Sequence, residues 1–198
     1  MKEIAMRTRQ TYGTHEGGFT LFELLTIVAI IAVLASLAVP AFSVWMPNYK
    51  LRSAARDIYS NLQMARLGAV KQNKQWAIVF DQGSSPGRYF VCSDDGANDV
   101  WDGPPAMGGD DTAEKTVNLS SYDKIDFGHA TLNTNIVGNP FTGGDDIYYA
   151  NDFVVFRPRG LSESGYVYIQ NNKNTVYGIG TRPSGVIHLK KWKDSTWE

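Results

Sequence analysis

The sequence has a single cysteine, Cys92, among its 198 residues. No disulfide can form within the chain, so its globular part must be held together by packing or by a bound ion. We interpret Cys92 as a core or half-buried residue, because no partner base is evident for it. Lysine plus arginine (19) nearly balance aspartate plus glutamate (20), and this total gives no argument for nucleic-acid binding.

Catalytic motifs are also lacking. The sequence contains no Gly-x-Ser-x-Gly motif, no phosphate-binding glycine loop and no cluster of histidine and cysteine at metal-ligand spacing. His129 and His188 lie in strand-like or turn contexts. We therefore expect no catalytic residue and no enzymatic activity.

The most informative feature that is present is an apolar run from Phe19 to Val39. As a helix it would be about 31 Å long at about 1.5 Å per residue, enough to cross a hydrocarbon core about 30 Å thick. Glu23 is the one charged residue in this run. A carboxylate inside an apolar membrane helix costs roughly 2.5–3.5 kcal/mol, so we expect Glu23 to have a partner or a function.

Two simpler interpretations of the run are an ordinary secretory signal and a plain membrane anchor. In a secretory signal, Ser36-Leu37-Ala38 would be the small-residue cleavage site. The run is longer than a usual signal core, and it carries a carboxylate near its start. A plain anchor explains neither Gly17-Gly18 nor Glu23. Lys2, Arg7 and Arg9 precede the run, and positive flanks stay in the cytoplasm, so the C-terminal part is expected to be exported.

The helical pattern continues beyond the apolar run. Pro40 cannot donate a hydrogen bond to the carbonyl of Ser36, so we expect a kink or a loosened turn there. From Leu51 to Ala69, apolar residues recur mostly at spacings of three and four, with polar residues between them. This pattern predicts an amphipathic helix that ends near Gln72 and packs one face on a domain core.

The residues Gly18-Phe19-Thr20-Leu21-Phe22-Glu23 resemble the signature of type IV pilins. The resemblance implies that a prepilin peptidase cuts after Gly18 and that the new N-terminal residue, Phe19, is N-methylated. It also implies that Glu23 sets the register between subunits and that Pro40 loosens the helix. Together, the leader, the cut site, the glutamate, the apolar span and the proline cover about the first quarter of the chain.

The remainder is similar to the GspH/FimT group of minor pseudopilins. Four segments carry this similarity: Asn61–Arg66 with Ala69, Trp76–Phe80, Phe156–Gly160 and Gly185–Leu189. The chain lacks the C-terminal cysteine pair of many major pilins. The resemblance implies a structural subunit of a type II secretion pseudopilus or a type IV pilus, in its tip or assembly-initiating complex. The implied partners are other pilin or pseudopilin subunits, the prepilin peptidase/N-methyltransferase, an inner-membrane assembly platform and membrane lipid.

The resemblance and the sequence pattern together predict four segments. They are a cytoplasmic leader (1–18), a transmembrane helix (19–39), an amphipathic continuation of that helix (40–72) and a periplasmic β-rich domain (73–198). The protein would be a single-pass protein of the bacterial inner membrane. Cleavage would create a positive amine at Phe19, which in a staggered bundle can approach Glu23 of a neighbouring subunit. In the alternative interpretation, Glu23 reaches the cytoplasmic headgroups and has no role in assembly.

The predicted fold class is α+β, with the long helix packed against one antiparallel sheet or two small ones, as in the pilin fold. The last three strands are expected to form a meander. The predicted strands are Trp76–Asp81, Arg88–Cys92, Thr116–Leu119, Ile125–Phe127, Phe153–Phe156, Gly165–Gln170, Thr175–Gly180 and Val186–Lys191.

Two long polar segments, 93–113 and 133–150, have no predicted strand. Each contains Gly-Gly-Asp-Asp, at 108–111 and 143–146. Such aspartates are oxygen ligands suited to Ca²⁺, although their spacing is not that of a helix–loop–helix calcium site. The simpler interpretation is a solvated turn, and we expect no required cofactor. The candidate ligands are Asp94, Asp95, Asp99 and Asp102, or the two Asp pairs.

A basic cluster lies near the C-terminus. Lys190, Lys191 and Lys193 flank Trp192, and Arg182 precedes them. Basic residues beside an aromatic ring can bind a nucleic-acid backbone and stack on bases, so a DNA-binding pilus subunit is an alternative function. A solvated edge strand whose lysines oppose aggregation is the simpler interpretation. A stand-alone anchored adhesin is a third alternative.

Overall fold

The structure is a computed structural model that describes residues 18–129, 132–141, 145–193 and 195–198. The predicted leader lies outside the described residues except for Gly18. Gly143 and Gly144 of the second Gly-Gly-Asp-Asp also lie outside them. By internal contacts, the chain divides into one unit that ends at Phe42 and a second unit that spans Ser43–Glu198.

Helix α1 extends over Leu21–Gln72, close to the predicted bounds. The helical assignment passes through Pro40 and Pro47, and the loosening expected at Pro40 stays a prediction. The helix ends where Asn73 adopts a positive φ of 53°. The amide of Lys74 then donates a hydrogen bond of 3.3 Å to the carbonyl of Ala69, which satisfies an acceptor that the end of a helix leaves unpaired.

Nine strands follow in the described part of the chain, and all their pairings are antiparallel. They are β1 (Trp76–Asp81), β2 (Arg88–Asp94), β3 (Thr112–Asn118), β4 (Ile125–Phe127), β5 (Phe153–Phe156), β6 (Gly165–Asn171), β7 (Val176–Thr181), β8 (Ile187–Lys193) and β9 (Thr196–Trp197).

The strands form two sheets, of order β3-β2-β1-β5 and β4-β6-β7-β8-β9. Strands β6, β7 and β8 form the predicted meander. The α+β fold class is therefore confirmed, with two small sheets. The connection between β2 and β3 is the segment 95–111.

One face of α1 and both sheets share the main core. The buried helix residues recur at the spacings of three and four that the sequence predicted. They are Leu51, Ala54, Ala55, Ile58, Leu62, Ala65 and Ala69. The Ser43–Glu198 unit thus joins the amphipathic part of α1 to the β-rich part through one apolar core.

Each sheet also has a smaller apolar cluster apart from the main core. Trp101, from the β2–β3 connection, packs with Ala77, Val79, Phe90, Cys92 and Val155 of the first sheet. On the second sheet, Tyr168 and Val176 pack with Ile136, and Trp192 and Trp197 lie against them. Strand β9, which the sequence did not predict, extends the second sheet and brings Trp197 opposite Trp192.

Candidate functional site

The segment Leu21–Ala38 has a mean hydropathy of 2.5, and none of it is buried. By length and composition it is the one described helix segment able to cross a membrane. Phe19, just before it, is 79% exposed. An apolar surface this continuous is unfavourable in water, so it requires lipid or another protein to cover it.

Thr20 and Glu23 form a reciprocal cap at the start of α1. The amide of Glu23 donates to Oγ1 of Thr20 over 3.2 Å, and the amide of Thr20 donates to Oε2 of Glu23 over 3.3 Å. This is the capping box of a Thr-x-x-Glu sequence, which satisfies two amides that have no partner within the helix. Glu23 therefore has a hydrogen-bond partner within its own chain. The sequence interpretation did not include this cap, although the Thr-x-x-Glu spacing predicts it.

The prepilin-like cut site lies immediately before this cap. A Cβ added to Gly18 would meet no atom within 4 Å, so its surroundings are open. Whether a peptidase cuts there, and whether Phe19 is methylated, stay predictions. The basic residues of the leader lie outside the described part of the chain.

Strand β8 divides the basic cluster between its two faces. Successive side chains of a strand point to opposite faces. Lys190 and Trp192 lie on the face of the outer cluster of the second sheet, where the rings of Trp192 and Trp197 have centroids 5.2 Å apart. Lys191 shares the face of Leu189, which packs on the main core. Lys193 pairs with Glu198 over 3.9 Å.

Arg182 and Lys190 do converge, on a cleft of about 180 Å³ that also contains His188. The sequence did not predict that His188 joins them. Nε2 of His188 is buried and has no hydrogen-bond partner among the described residues. Burial, with Arg182 and Lys190 nearby, lowers the pKa of His188. The positive charge of this cleft near pH 7 therefore comes from Arg182 and Lys190.

The acidic connection between β2 and β3 brings together Asp102, Asp110 and Asp111, each with one carboxylate oxygen within 4.8 Å of those of the others. Of the four aspartates proposed as ligands, this group includes Asp102 alone. Asp94 instead lies 3.6 Å from the ammonium of Lys74. Asp95 and Asp99 do not belong to the group. Their positions follow from the folding of the connection, which sequence spacing did not reveal.

Cys92 is fully buried in the outer cluster of the first sheet. Burial, followed by the nearby charge of Asp111, raises the pKa of the Cys92 thiol to about 12. A nucleophilic cysteine requires the thiolate, which this environment disfavours.

His129 pairs through Nδ1 with Asp146 over 2.5 Å and stacks on Phe141. Both ring contacts of His129 are thus with neighbouring side chains, and its role, like that of Cys92, is in packing.

Comparison with known proteins gives one family. The family model described as "Type II transport protein GspH" matches residues 54–185, more than half of the chain. No curated protein and no solved structure matches the chain. The matched residues include three of the four segments that resemble GspH/FimT subunits and Gly185, the first residue of the fourth, and the match confirms that resemblance. The chain belongs to the GspH family of type II transport proteins.

Proposed function

We propose that this protein is a minor pseudopilin, a non-enzymatic structural subunit of a type II secretion pseudopilus. It works in the tip or the assembly-initiating complex, with the inner-membrane assembly platform and other pseudopilins as partners. The chain crosses the inner membrane once, with its N-terminus in the cytoplasm and the Ser43–Glu198 unit in the periplasm. The observation that carries this proposal is the uncovered apolar helix with Glu23 near its start.

Lipid covers the apolar helix before assembly, and the helices of neighbouring subunits cover it within the filament. Small residues along the helix, including Ala29, Ala32, Ala35 and Ser36, allow close approach between helices. Membership of the GspH family supports the same role, because its members are pseudopilins of type II secretion. The proposal therefore joins the family match, which covers most of the globular unit, to the exposed apolar helix segment that precedes it.

Cleavage after Gly18 creates a positive amine at Phe19. In the pseudopilus this amine lies against Glu23 of a neighbour, which offsets the cost of a carboxylate in an apolar environment. The Thr20–Glu23 cap gives Glu23 a second role within its own chain. The two roles are separable, because capping requires only an acceptor oxygen whereas pairing between subunits requires the negative charge.

Two variants separate these roles. Glu23→Gln keeps an oxygen that can cap the Thr20 amide but removes the charge, whereas Thr20→Val removes the hydroxyl of the cap and keeps the charge. We expect Glu23→Gln to be processed normally yet to lose co-purification with its partner pseudopilins, while Thr20→Val retains it. Normal assembly of Glu23→Gln, with loss of assembly in Thr20→Val, would contradict a charge-dependent register.

Processing is tested separately by N-terminal sequencing of the membrane-extracted protein. The expected first residue is a methylated Phe19. Replacing Gly18 with a bulky residue should leave the full-length precursor in the membrane. A mature protein that starts at Val39 would instead support an ordinary secretory signal with Ser36-Leu37-Ala38 at the cut.

DNA binding is the second candidate function, favoured by the convergence of Arg182 and Lys190 on one cleft. The test is a mobility shift of double-stranded DNA by the detergent-solubilised chain at low salt, where phosphate contacts are strongest. The combined Arg182→Ala and Lys190→Ala variant should abolish the shift, whereas Lys191→Ala on the other face of β8 serves as the control. No shift by the unaltered chain would remove this candidate.

A further inference from the structure

The connection between β2 and β3 contains a compact acidic cluster of Asp102, Asp110 and Asp111. One carboxylate oxygen from each residue lies within 4.8 Å of those of the other two. Asp102 and Asp110 are exposed, whereas Asp111 is only 2% exposed. The cluster thus has a buried carboxylate at its base and two carboxylates that solvent can reach.

The backbone brings these side chains close together. The amide of Asp111 donates to the carbonyl of Gly103 over 3.0 Å, and the amide of Gly103 donates back to Oδ2 of Asp111 over 2.9 Å. Gly109 passes so near Asp102 that an added Cβ would lie 2.0 Å from Oδ1. Asp102 and Asp111 therefore lie on a tightly folded backbone in which Gly109 cannot easily be replaced.

The negative charge of the cluster is uncompensated within the described part of the chain. There, the three carboxylates form no ion pair with lysine, arginine or histidine. Carboxylates this close repel one another, and a bound cation would offset that repulsion.

Asp111 provides a second, independent observation. Its Oδ2 accepts the hydrogen bond from Gly103, but its Oδ1 is buried and has no hydrogen-bond partner among the described residues. A buried carboxylate oxygen without a donor is costly, and native proteins normally satisfy such atoms with a donor, a water or an ion. This atom belongs to the one buried carboxylate of the cluster, so an ion held by the three aspartates would complete its coordination.

We propose that Asp102, Asp110 and Asp111 form a Ca²⁺ site. Ca²⁺ takes six to eight oxygen ligands at about 2.3–2.6 Å, so oxygens on opposite sides of the ion lie about 5 Å apart. Separations of up to 4.8 Å among the three carboxylate oxygens fit that sphere. Water completes the coordination on the exposed side. Zn²⁺ is a poorer fit because the group offers no nitrogen or sulfur ligand, and Mg²⁺ because it requires shorter bonds in a stricter octahedron.

Binding orders the β2–β3 connection. Trp101, next to Asp102, is buried against the first sheet. An ion that joins Asp102 to Asp110 and Asp111 therefore ties the middle of the connection, beside that anchor, to its C-terminal end. The ion thereby contributes the cross-link that a chain with a single cysteine cannot obtain from a disulfide. This inference is independent of the assembly role proposed above.

Terbium luminescence is the direct test. Tb³⁺ takes the same oxygen ligands as Ca²⁺, and the indole of Trp101 excites it at close range. We expect the full chain in detergent to give Tb³⁺ emission that Ca²⁺ displaces, with a Ca²⁺ Kd on the order of 10⁻⁴–10⁻³ M, as in extracellular calcium modules. Ca²⁺ should also raise the midpoint of thermal unfolding.

Isosteric variants locate the site. Asp111→Asn and Asp102→Asn should each weaken binding by about tenfold or more, since even residues behind the ligands commonly contribute that much. Asp99→Asn is the matched control, because it removes a carboxylate of the same connection outside the cluster, at a positive φ of 55° that asparagine tolerates. It should bind Ca²⁺ as the unaltered chain does.

Any of four outcomes would overturn the proposal. The first is no Tb³⁺ emission and no Ca²⁺-dependent shift in thermal unfolding. The second is an equal loss of binding in Asp99→Asn and Asp111→Asn, which would indicate diffuse attraction to an acidic surface. The third is displacement of Tb³⁺ by Mg²⁺ as readily as by Ca²⁺. The fourth is an Asp111→Asn variant that binds Ca²⁺ normally, because the buried carboxylate would then not be a ligand.

Discussion

Arg66 donates a hydrogen bond of 3.1 Å from Nε to the carbonyl oxygen of Gly160. The backbone of Gly185 lies against the same oxygen, so near that an added Cβ would be 1.8 Å from it. Three of the segments that resemble GspH/FimT subunits, those with Arg66, Gly160 and Gly185, therefore meet at one carbonyl. These residues therefore attach α1, through Arg66, to two turns of the β-rich part, one at Gly160 and one at Gly185.

Gly185→Ala should destabilise the protein more than Gly138→Ala. Both glycines have a positive φ, of 76° and 94°, which costs a residue with a Cβ about 1–2 kcal/mol. At Gly138 an added Cβ would meet no atom within 4 Å, whereas at Gly185 it would collide with the Gly160 carbonyl. Urea unfolding of the two variants measures the difference, and equal midpoints would contradict the close approach seen here.

Tyr89→Phe should cost about 1–3 kcal/mol of unfolding free energy. Nδ2 of Asn61 donates a buried hydrogen bond of 2.7 Å to the Tyr89 hydroxyl, and the variant leaves that buried donor unsatisfied. Tyr49→Phe, at an exposed position of α1, is the control and should change little. The Asn61→Leu/Tyr89→Phe double variant should be less destabilised than the sum of its single variants. Strict additivity would show that the two side chains are not coupled.

Cys92 should be unreactive in the native protein at about pH 8 and reactive after unfolding. Its pKa is raised to about 12 by burial and by Asp111, so the thiolate is scarce and the sulfur is enclosed. A thiol-specific colorimetric reagent, with the protein in guanidinium chloride as the reference, measures both rates. Fast reaction of the folded chain would contradict the burial of Cys92 against Trp101.

The protein should lose stability as pH rises above about 10. Burial raises the pKa of Tyr168 from 10.0 to about 12, so the folded state holds a proton that the unfolded state releases first. The stabilisation is complete below pH 10 and declines as pH approaches 12. The urea midpoint followed over this range measures the decline. Tyr168→Phe should make that decline shallower, and an unchanged slope would exclude Tyr168 as a contributor.

Much of the fold could be predicted from the sequence because patterns of neighbouring residues determine it. The spacing of the buried residues of α1 follows from helical periodicity. Strands β1, β4 and β5 have the predicted bounds because each is a short segment rich in apolar residues between turn signals. The pilin-like residues from Gly18 to Glu23 are likewise a local pattern. The Thr20–Glu23 cap follows from a spacing of three residues and was readable, although the sequence reasoning overlooked it.

The candidate sites depend on how short stretches of the backbone fold, which the spacing of residues in the sequence does not determine. Strand β9 is only two residues long and exists because Trp197 pairs with Trp192. The alternation of β8 placed Lys190 and Lys191 on opposite faces, so four basic residues close in sequence did not make one surface. The turn that brings Asp102 to Asp110 and Asp111 depends on backbone contacts at Gly103 and Gly109.

The sequence by itself determined the apolar helix, the amphipathic helix, the α+β class and the family, because these follow from composition, periodicity and short motifs along the chain. The tertiary structure alone decided which aspartates cluster, which cations share a cleft and which oxygen of Asp111 is left without a donor. Those relationships depend on the path of the backbone through turns and connections, and the spacing of residues along the chain does not encode the resulting distances between side chains.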